Sequence, residues 1–170
     1  MICDVFIANK IVPDVIDVAP LEKLEVSYLK SNKKIDLGNE LKPIDTSEPP
    51  AISYEADSDS FYTLMMVDPD APNRKIPIFG EWNHWLIVNI PGTELKDGET
   101  IREYLKCGPP PLTGLHRYVF LLFKQADKIN FNEPHSSDTY IFRARFSTKK
   151  FIKKYNLGNP IAGNFFLAQH

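Results

Sequence analysis

The stretch Phe61-Tyr-Thr-Leu-Met-Met-Val-Asp-Pro-Asp-Ala-Pro72 decides the reading of the fold, because a near-continuous apolar run passes straight into an acid and two prolines. A run of this length without helical spacing is the pattern of a strand covered on both faces. The segments Trp85 to Ile90 and Tyr118 to Phe123 repeat it, and the three are expected to form the centre of one sheet. Further out, Leu24, Val26 and Tyr28 alternate with Glu25 and Ser27, and Tyr140, Phe142, Ala144 and Phe146 alternate with Arg143 and Arg145. Both segments have the period of half-buried strands. Ala51 to Tyr54 and Asn164 to Ala168 are bounded by Pro49-Pro50 and Gly163 and also read as strands. Helical spacing occurs in Glu99 to Lys106, through Ile101, Tyr104 and Leu105, and in Ser147 to Asn156, through Phe151, Ile152 and Tyr155. The second has Ser147 as its N-cap and Gly158 beyond its end. Asp36 to Pro50 reads as a loop, and Asp68 to Pro72 as a rigid turn in which two prolines withhold backbone donors. The class is mainly β, in a single domain over residues 1–170.

Composition narrows the function. With 170 residues, 43% hydrophobic and 25% charged, the chain is an ordinary globular domain that needs no disulfide staples. Its 22 acids and 20 bases give a net charge of −2, so no global field draws it to nucleic acid or an anionic surface, and any anion must be recognised locally. No apolar run approaches the roughly 18 residues of a membrane span, and residues 1–20 carry Asp4, Lys10, Asp14 and Asp17 with no apolar h-region, so neither a secreted nor a membrane-embedded chain is expected. Two cysteines and no Asn-x-Ser/Thr sequon make a reducing cytoplasm the expected compartment. A monomer is the expected state. The 14 prolines argue against long helices.

The chemistry-bearing residues cluster where the apolar strands begin and end. If the strands through Phe61 and Trp85 pair antiparallel, the end of the first and the start of the second share one sheet edge, which brings His84 towards Asp68. Parallel return of the strand opened by His116-Arg117-Tyr118 adds a second imidazole and a phenol to the same rim, and Gly108 ahead of three prolines offers a bare N–H. An Asx turn is the alternative role for Asp68, and a structural one for each histidine. Arg74, Arg117 and Asp70 read as solvated or structural, and Lys149, Lys150, Lys153 and Lys154 as the wet face of a helix.

Three motifs in order, Asp68-Pro-Asp-Ala-Pro-Asn-Arg74, Glu81-Trp-Asn-His84 and Gly108-Pro-Pro with Gly114-Leu-His-Arg-Tyr118, closely resemble the phosphatidylethanolamine-binding protein family, also called Raf kinase inhibitor proteins. The resemblance extends from Val15-Ile-Asp-Val-Ala-Pro20 through Asp36-Leu-Gly-Asn39 to Tyr155-Asn-Leu-Gly-Asn-Pro-Ile-Ala-Gly163. It implies a large central, mainly antiparallel sheet packed with a smaller sheet and about two short helices. It also implies an anion pocket walled by Asp68, Pro72, Trp82, His84, Gly108, Pro110, His116 and Tyr118. The implied ligand is a phosphate-bearing small molecule, a phospholipid headgroup or a phosphorylated side chain, bound without cofactor, metal or catalysis. Kinase regulation and a kinase or protease partner follow from the same resemblance.

Asn83 stands where many animal relatives have a second histidine, which would lower the charge of the pocket; Cys107 and Pro111 alter its lip. Animal relatives continue past the position of Gln169-His170 into a helix that shields the pocket, so that wall is not expected here. Two rival readings remain at this stage. One is a serine-protease inhibitor acting through a surface loop. The other is a hydrolase with a Cys107, His116 and Asp68 arrangement, although cysteines are usually structural.

Overall fold

The computed structural model describes residues 1–137 and 139–170. In chain order the helices are α1 (Ile2–Ala8), the short turn α2 (Ile11–Asp14) and α3 (Thr148–Tyr155). The strands are β1 (Glu22–Lys23), β2 (Glu25–Tyr28), β3 (Lys33–Lys34), β4 (Ala51–Ser53), β5 (Phe61–Ala71), β6 (Gly80–Pro91), β7 (Glu99–Arg102), β8 (His116–Gln125) and β9 (Ala162–Ala168). Six strands form a mixed sheet in the order β1-β9-β8-β5-β6-β7, parallel only at β1 and β9, and β3-β2-β4 form a small antiparallel sheet. The three apolar runs are its central strands, as the sequence predicts.

They are apolar throughout because both faces are covered. On β5, Leu64 and Met66 face the small sheet with Leu24, Val26 and Tyr28, while Met65 and Val67 face Phe6, Ile11 and Phe151 of the helical layer. β8 divides in the same way, Phe120 and Leu122 to one side and Val119, Leu121 and Phe123 to the other.

Three sequence expectations are corrected. Glu99 to Lys106 is not a helix: its first four residues are β7, and the Leu105 amide then donates to the His84 carbonyl at 2.9 Å, so the segment runs along the exposed edge of β6. Pairing with an open strand edge satisfies its backbone, whereas eight residues hold a helix poorly. Tyr140 to Phe146 is not a strand either. Its alternation does not divide inside from outside: Tyr140, Ile141 and Phe142 are exposed, whereas Arg143 is fully buried and donates to the carbonyls of Asn83, His84 and Glu103 at 2.6–3.1 Å. It touches β6 at isolated points, Phe146 bridging to Glu81 and the Arg143 carbonyl accepting from the Asn83 amide at 2.9 Å. Asp68 to Ala71 continues β5 rather than leaving the sheet in a backbone turn. Helix α3 keeps its expected bounds: it begins at its Ser147 cap, whose hydroxyl accepts from the Lys150 amide, and closes on a left-handed Asn156, with Gly158 beyond the end. Helix α1, with its single buried anchor Phe6, has too narrow an apolar stripe to be read from sequence.

Candidate functional site

Because β5 runs antiparallel to both β6 and β8, its C-terminal end lies at the same sheet edge as their N-terminal ends. Two register irregularities then aim the side chains. Between Met66↔Trp85 and Val67↔Asn83, β6 carries one residue more than β5, and that residue is His84. A bulge re-aims the side chains around it, so Trp82, His84 and Trp85 share the face of the small sheet, while Asn83 and Glu81 face α3. A second irregularity between Asp68 and Ala71 separates two acids that strict alternation would align. Asp68 reaches His116, whereas Asp70 grips Arg117, the next residue on β8, through the opposite face.

The Asp68 carboxylate is buried and accepts at both oxygens, from the Asp70 amide at 2.7 Å and from His116 Nδ1 at 2.8 Å. The Asx-turn reading and the histidine-orienting reading are therefore both right. His116 Nε2 lies 2.8 Å from Thr113 Oγ1, so both of its ring nitrogens are occupied. The ring stacks over Tyr118, which stacks in turn on Phe166. The Tyr118 phenol lies against Asp68 and the Gly108 amide; burial, and then the Asp68 charge, push its pKa far above the usual value.

His84 is held differently. Its Nδ1 donates to the Leu105 carbonyl at 2.8 Å, which leaves Nε2 for the cavity. Burial lowers its pKa below 6.5, and the nearby Asp68 charge offsets this only in part, so the ring is neutral at neutral pH.

These groups floor a cavity of about 300 Å³. Every residue of the expected wall lines it: Asp68, Pro72, Trp82, His84, Gly108, Pro110, His116 and Tyr118. Sequence reasoning missed Phe79, Leu105, Lys106 and Tyr140, which also line it. Tyr140 packs edge-on against Trp82 at 6.0 Å, although 58 residues separate them in the chain, and no local pattern signals such a contact. The floor is polar and the upper walls are aromatic and proline-rich. That arrangement suits a compact charged group carrying an apolar or partly apolar remainder.

Asn83 does not line the cavity, so its presence in place of a histidine leaves the cavity's charge unchanged. It is fully buried, and its side-chain amide has no hydrogen-bond partner among the described residues. Arg117 is a structural ion-pair residue: its guanidinium forks onto Asp70 at 2.7 and 3.0 Å and reaches Asp14 at 2.9 Å, tying the N-terminal helices to the sheet. Lys149 and Lys154 are paired with Asp17 and Glu133. Cys107 lines the cavity from a buried position next to Thr46, and burial pushes its thiol up to about 11. A thiol so raised is protonated at neutral pH, the opposite of an activated nucleophile. Among the described residues no group of three or more His, Cys, Asp or Glu is placed to hold a metal ion, and no helix is long and apolar enough to cross a membrane.

The chain is similar to proteins whose names bear on this geometry. It is 37% identical to a Drosophila melanogaster protein named "Putative odorant-binding protein A5", over 92% of this chain and 75% of that one. The solved structure of a carboxypeptidase Y inhibitor complexed with its cognate proteinase superposes with a TM-score of 0.84 at 27% identity, covering 98% of this chain and 94% of the inhibitor. A phosphatidylethanolamine-binding protein from Plasmodium vivax superposes at 0.82 with 26% identity, over 100% and 98% of the two chains. The family model for phosphatidylethanolamine-binding protein matches residues 31–166, which include β3 and β4 of the small sheet, the central strands and the whole cavity floor, and the chain belongs to that family.

Proposed function

We propose that the protein is a non-enzymatic binding module whose cavity takes a compact phosphate-bearing group, as in a phosphoethanolamine headgroup or a phosphorylated side chain. One observation carries the reading: His84 Nε2 is left for the cavity by the Nδ1 bond to Leu105, on a floor shared with the Gly108 amide and the Tyr118 phenol and beside the exposed Lys106. A phosphate is held by several donors at once, most strongly where one is cationic, and His84 Nε2 becomes such a donor once the neutral ring takes up a proton. The carboxylates interfere little, since Asp68 is committed to His116 and Asp70 to Arg117. Occupancy by a phosphorylated side chain is the form in which such a module would regulate a kinase.

Calorimetry with inorganic phosphate and with phosphoethanolamine tests this. The two should compete for one site, and His84→Ala and Lys106→Ala should each weaken both. Unchanged affinities in both variants would remove the assignment. A second reading, proteinase inhibition, is favoured by the likeness to the carboxypeptidase Y inhibitor. It predicts inhibition of a carboxypeptidase that persists in His84→Ala.

A further inference from the structure

Exposed apolar side chains are concentrated around the cavity mouth. Three loops reach it, and each contributes a lining residue: Phe79 from loop 72–79, Pro110 from loop 105–115 and Tyr140 from loop 139–146. Each loop also carries large apolar residues that point away from any core, Ile76 and Ile78 on the first, Leu112 on the second, and Ile141 and Phe142 on the third, all more than half exposed. Counting the lining pair Phe79 and Tyr140 along with Leu115, eight of the fourteen exposed large hydrophobics among the described residues sit on these loops. Scattered exposed apolar residues need no explanation, but a contiguous collar does.

Charge is segregated in the same place. Segments 72–80, 105–115 and 139–150 contain no Asp or Glu, in a chain that has 22 of them against 20 bases. Arg74, Lys75, Lys106 and Arg145 lie exposed among the apolar tips. Asp138, the nearest acid in sequence to the third loop, lies outside the described residues. Apolar and aromatic tips interleaved with bases of a single sign form the pattern of a surface that enters an anionic bilayer interface. The cores of protein–protein interfaces are instead depleted of charge, and two copies meeting collar to collar would oppose bases to bases.

We propose that this collar is a membrane-docking surface. Ile76, Ile78, Leu112, Ile141 and Phe142 enter the headgroup layer of an anionic bilayer, Lys75 and Arg145 meet lipid phosphates, and the cavity mouth faces the membrane. The inference stands apart from phosphate binding in the cavity, because the tips and bases it uses, apart from the rim residues, do not line the cavity.

The test is co-sedimentation with vesicles of phosphatidylcholine alone and of phosphatidylcholine with phosphatidylserine, neither containing ethanolamine headgroups. The protein should partition at least about tenfold more strongly onto the anionic vesicles, an advantage that added salt removes. Ile78→Glu with Phe142→Glu, and separately Lys75→Glu with Arg145→Glu, should each cut that partition by about tenfold or more. Leu29→Glu, at an exposed leucine that directly follows β2 and belongs to none of the three loops, should leave it unchanged. Unaltered urea midpoints and phosphoethanolamine affinity in the collar variants show that the fold and the cavity survive. Absence of partition in the wild type, full partition by either double variant, or an equal loss in Leu29→Glu would overturn the docking surface. Self-association of the wild type that the collar substitutions abolish, without vesicle binding, would replace it with an interface between copies. Loss of phosphoethanolamine affinity in His84→Ala with vesicle binding intact would uphold both inferences separately.

Discussion

Asp68 Oδ2 accepts from His116 Nδ1 at 2.8 Å while Asp68 Oδ1 accepts from the Asp70 amide at 2.7 Å, so one buried carboxylate closes the end of β5 and fixes the ring that opens β8. Both partners are almost wholly enclosed, at 5% and 1% side-chain exposure. Removing one member strands the other in a low-dielectric site, the situation in which truncation is most destabilising.

Asp68→Ala is therefore expected to lower stability by about 3 kcal/mol, and His116→Ala by a similar amount. The double variant should cost clearly less than the sum, since the second truncation has no partner left to strand. Urea denaturation of the four proteins measures the coupling, and strictly additive losses would show that the pair is not a unit.

His84 predicts a pH dependence of binding. Neutral, with its proton on Nδ1 and bonded to Leu105, the ring presents a lone pair at Nε2 and cannot donate to an anion; it must first take up a proton. Because burial holds its pKa below 6.5, affinity for a ligand of fixed charge should rise as pH falls below that value, by up to about tenfold per unit. Glycerophosphoethanolamine, a phosphodiester, is the cleaner probe because a phosphomonoester itself titrates near pH 6. In the absence of ligand the sign is opposite: the unfolded chain accepts this proton more readily, so the contribution to stability present above pH 6.5 is lost as pH falls towards the folded-state pKa. Calorimetry across this range would contradict the role of His84 if affinity for the diester stayed flat.

Glu81 gives a second pH signature, remote from the cavity. Its carboxylate accepts from the Thr148 amide and hydroxyl at the start of α3, yet burial outweighs these bonds and raises its pKa from 4.5 to about 7. A raised carboxyl pKa means that the folded state holds the proton more tightly. The stabilisation is full below pH 4.5 and is lost as pH rises through about 7. The difference should amount to about 3 kcal/mol between these limits. Glu81→Gln should flatten that part of the profile, so its urea midpoint should gain on the wild type between pH 5 and 8. Parallel profiles for the two proteins would rule out Glu81 as the titrating group.

Sequence by itself determined the central strands and the residues of the cavity floor. Strands buried on both faces must be apolar throughout, which makes 61–67, 85–90 and 118–123 conspicuous, and the functional groups follow directly at their ends. Three motifs around Asp68, His84 and His116 then suffice to specify the family. What the sequence leaves undecided depends on backbone geometry and on contacts distant in the chain. The bulge at His84 and the irregularity between Asp68 and Ala71 decide which face each side chain takes, and a one-residue shift of this kind leaves no mark on apolar periodicity. Helical spacing in 99–106 yields to the open edge of β6, and strand-like alternation in 140–146 yields to Arg143, whose guanidinium finds carbonyls of β6 and of the segment beside it. Phe79, Lys106 and Tyr140 reach the cavity only because three loops converge on one sheet edge. Local pattern carries the energetics of burial; the pairing of distant backbone groups decides where the side chains point.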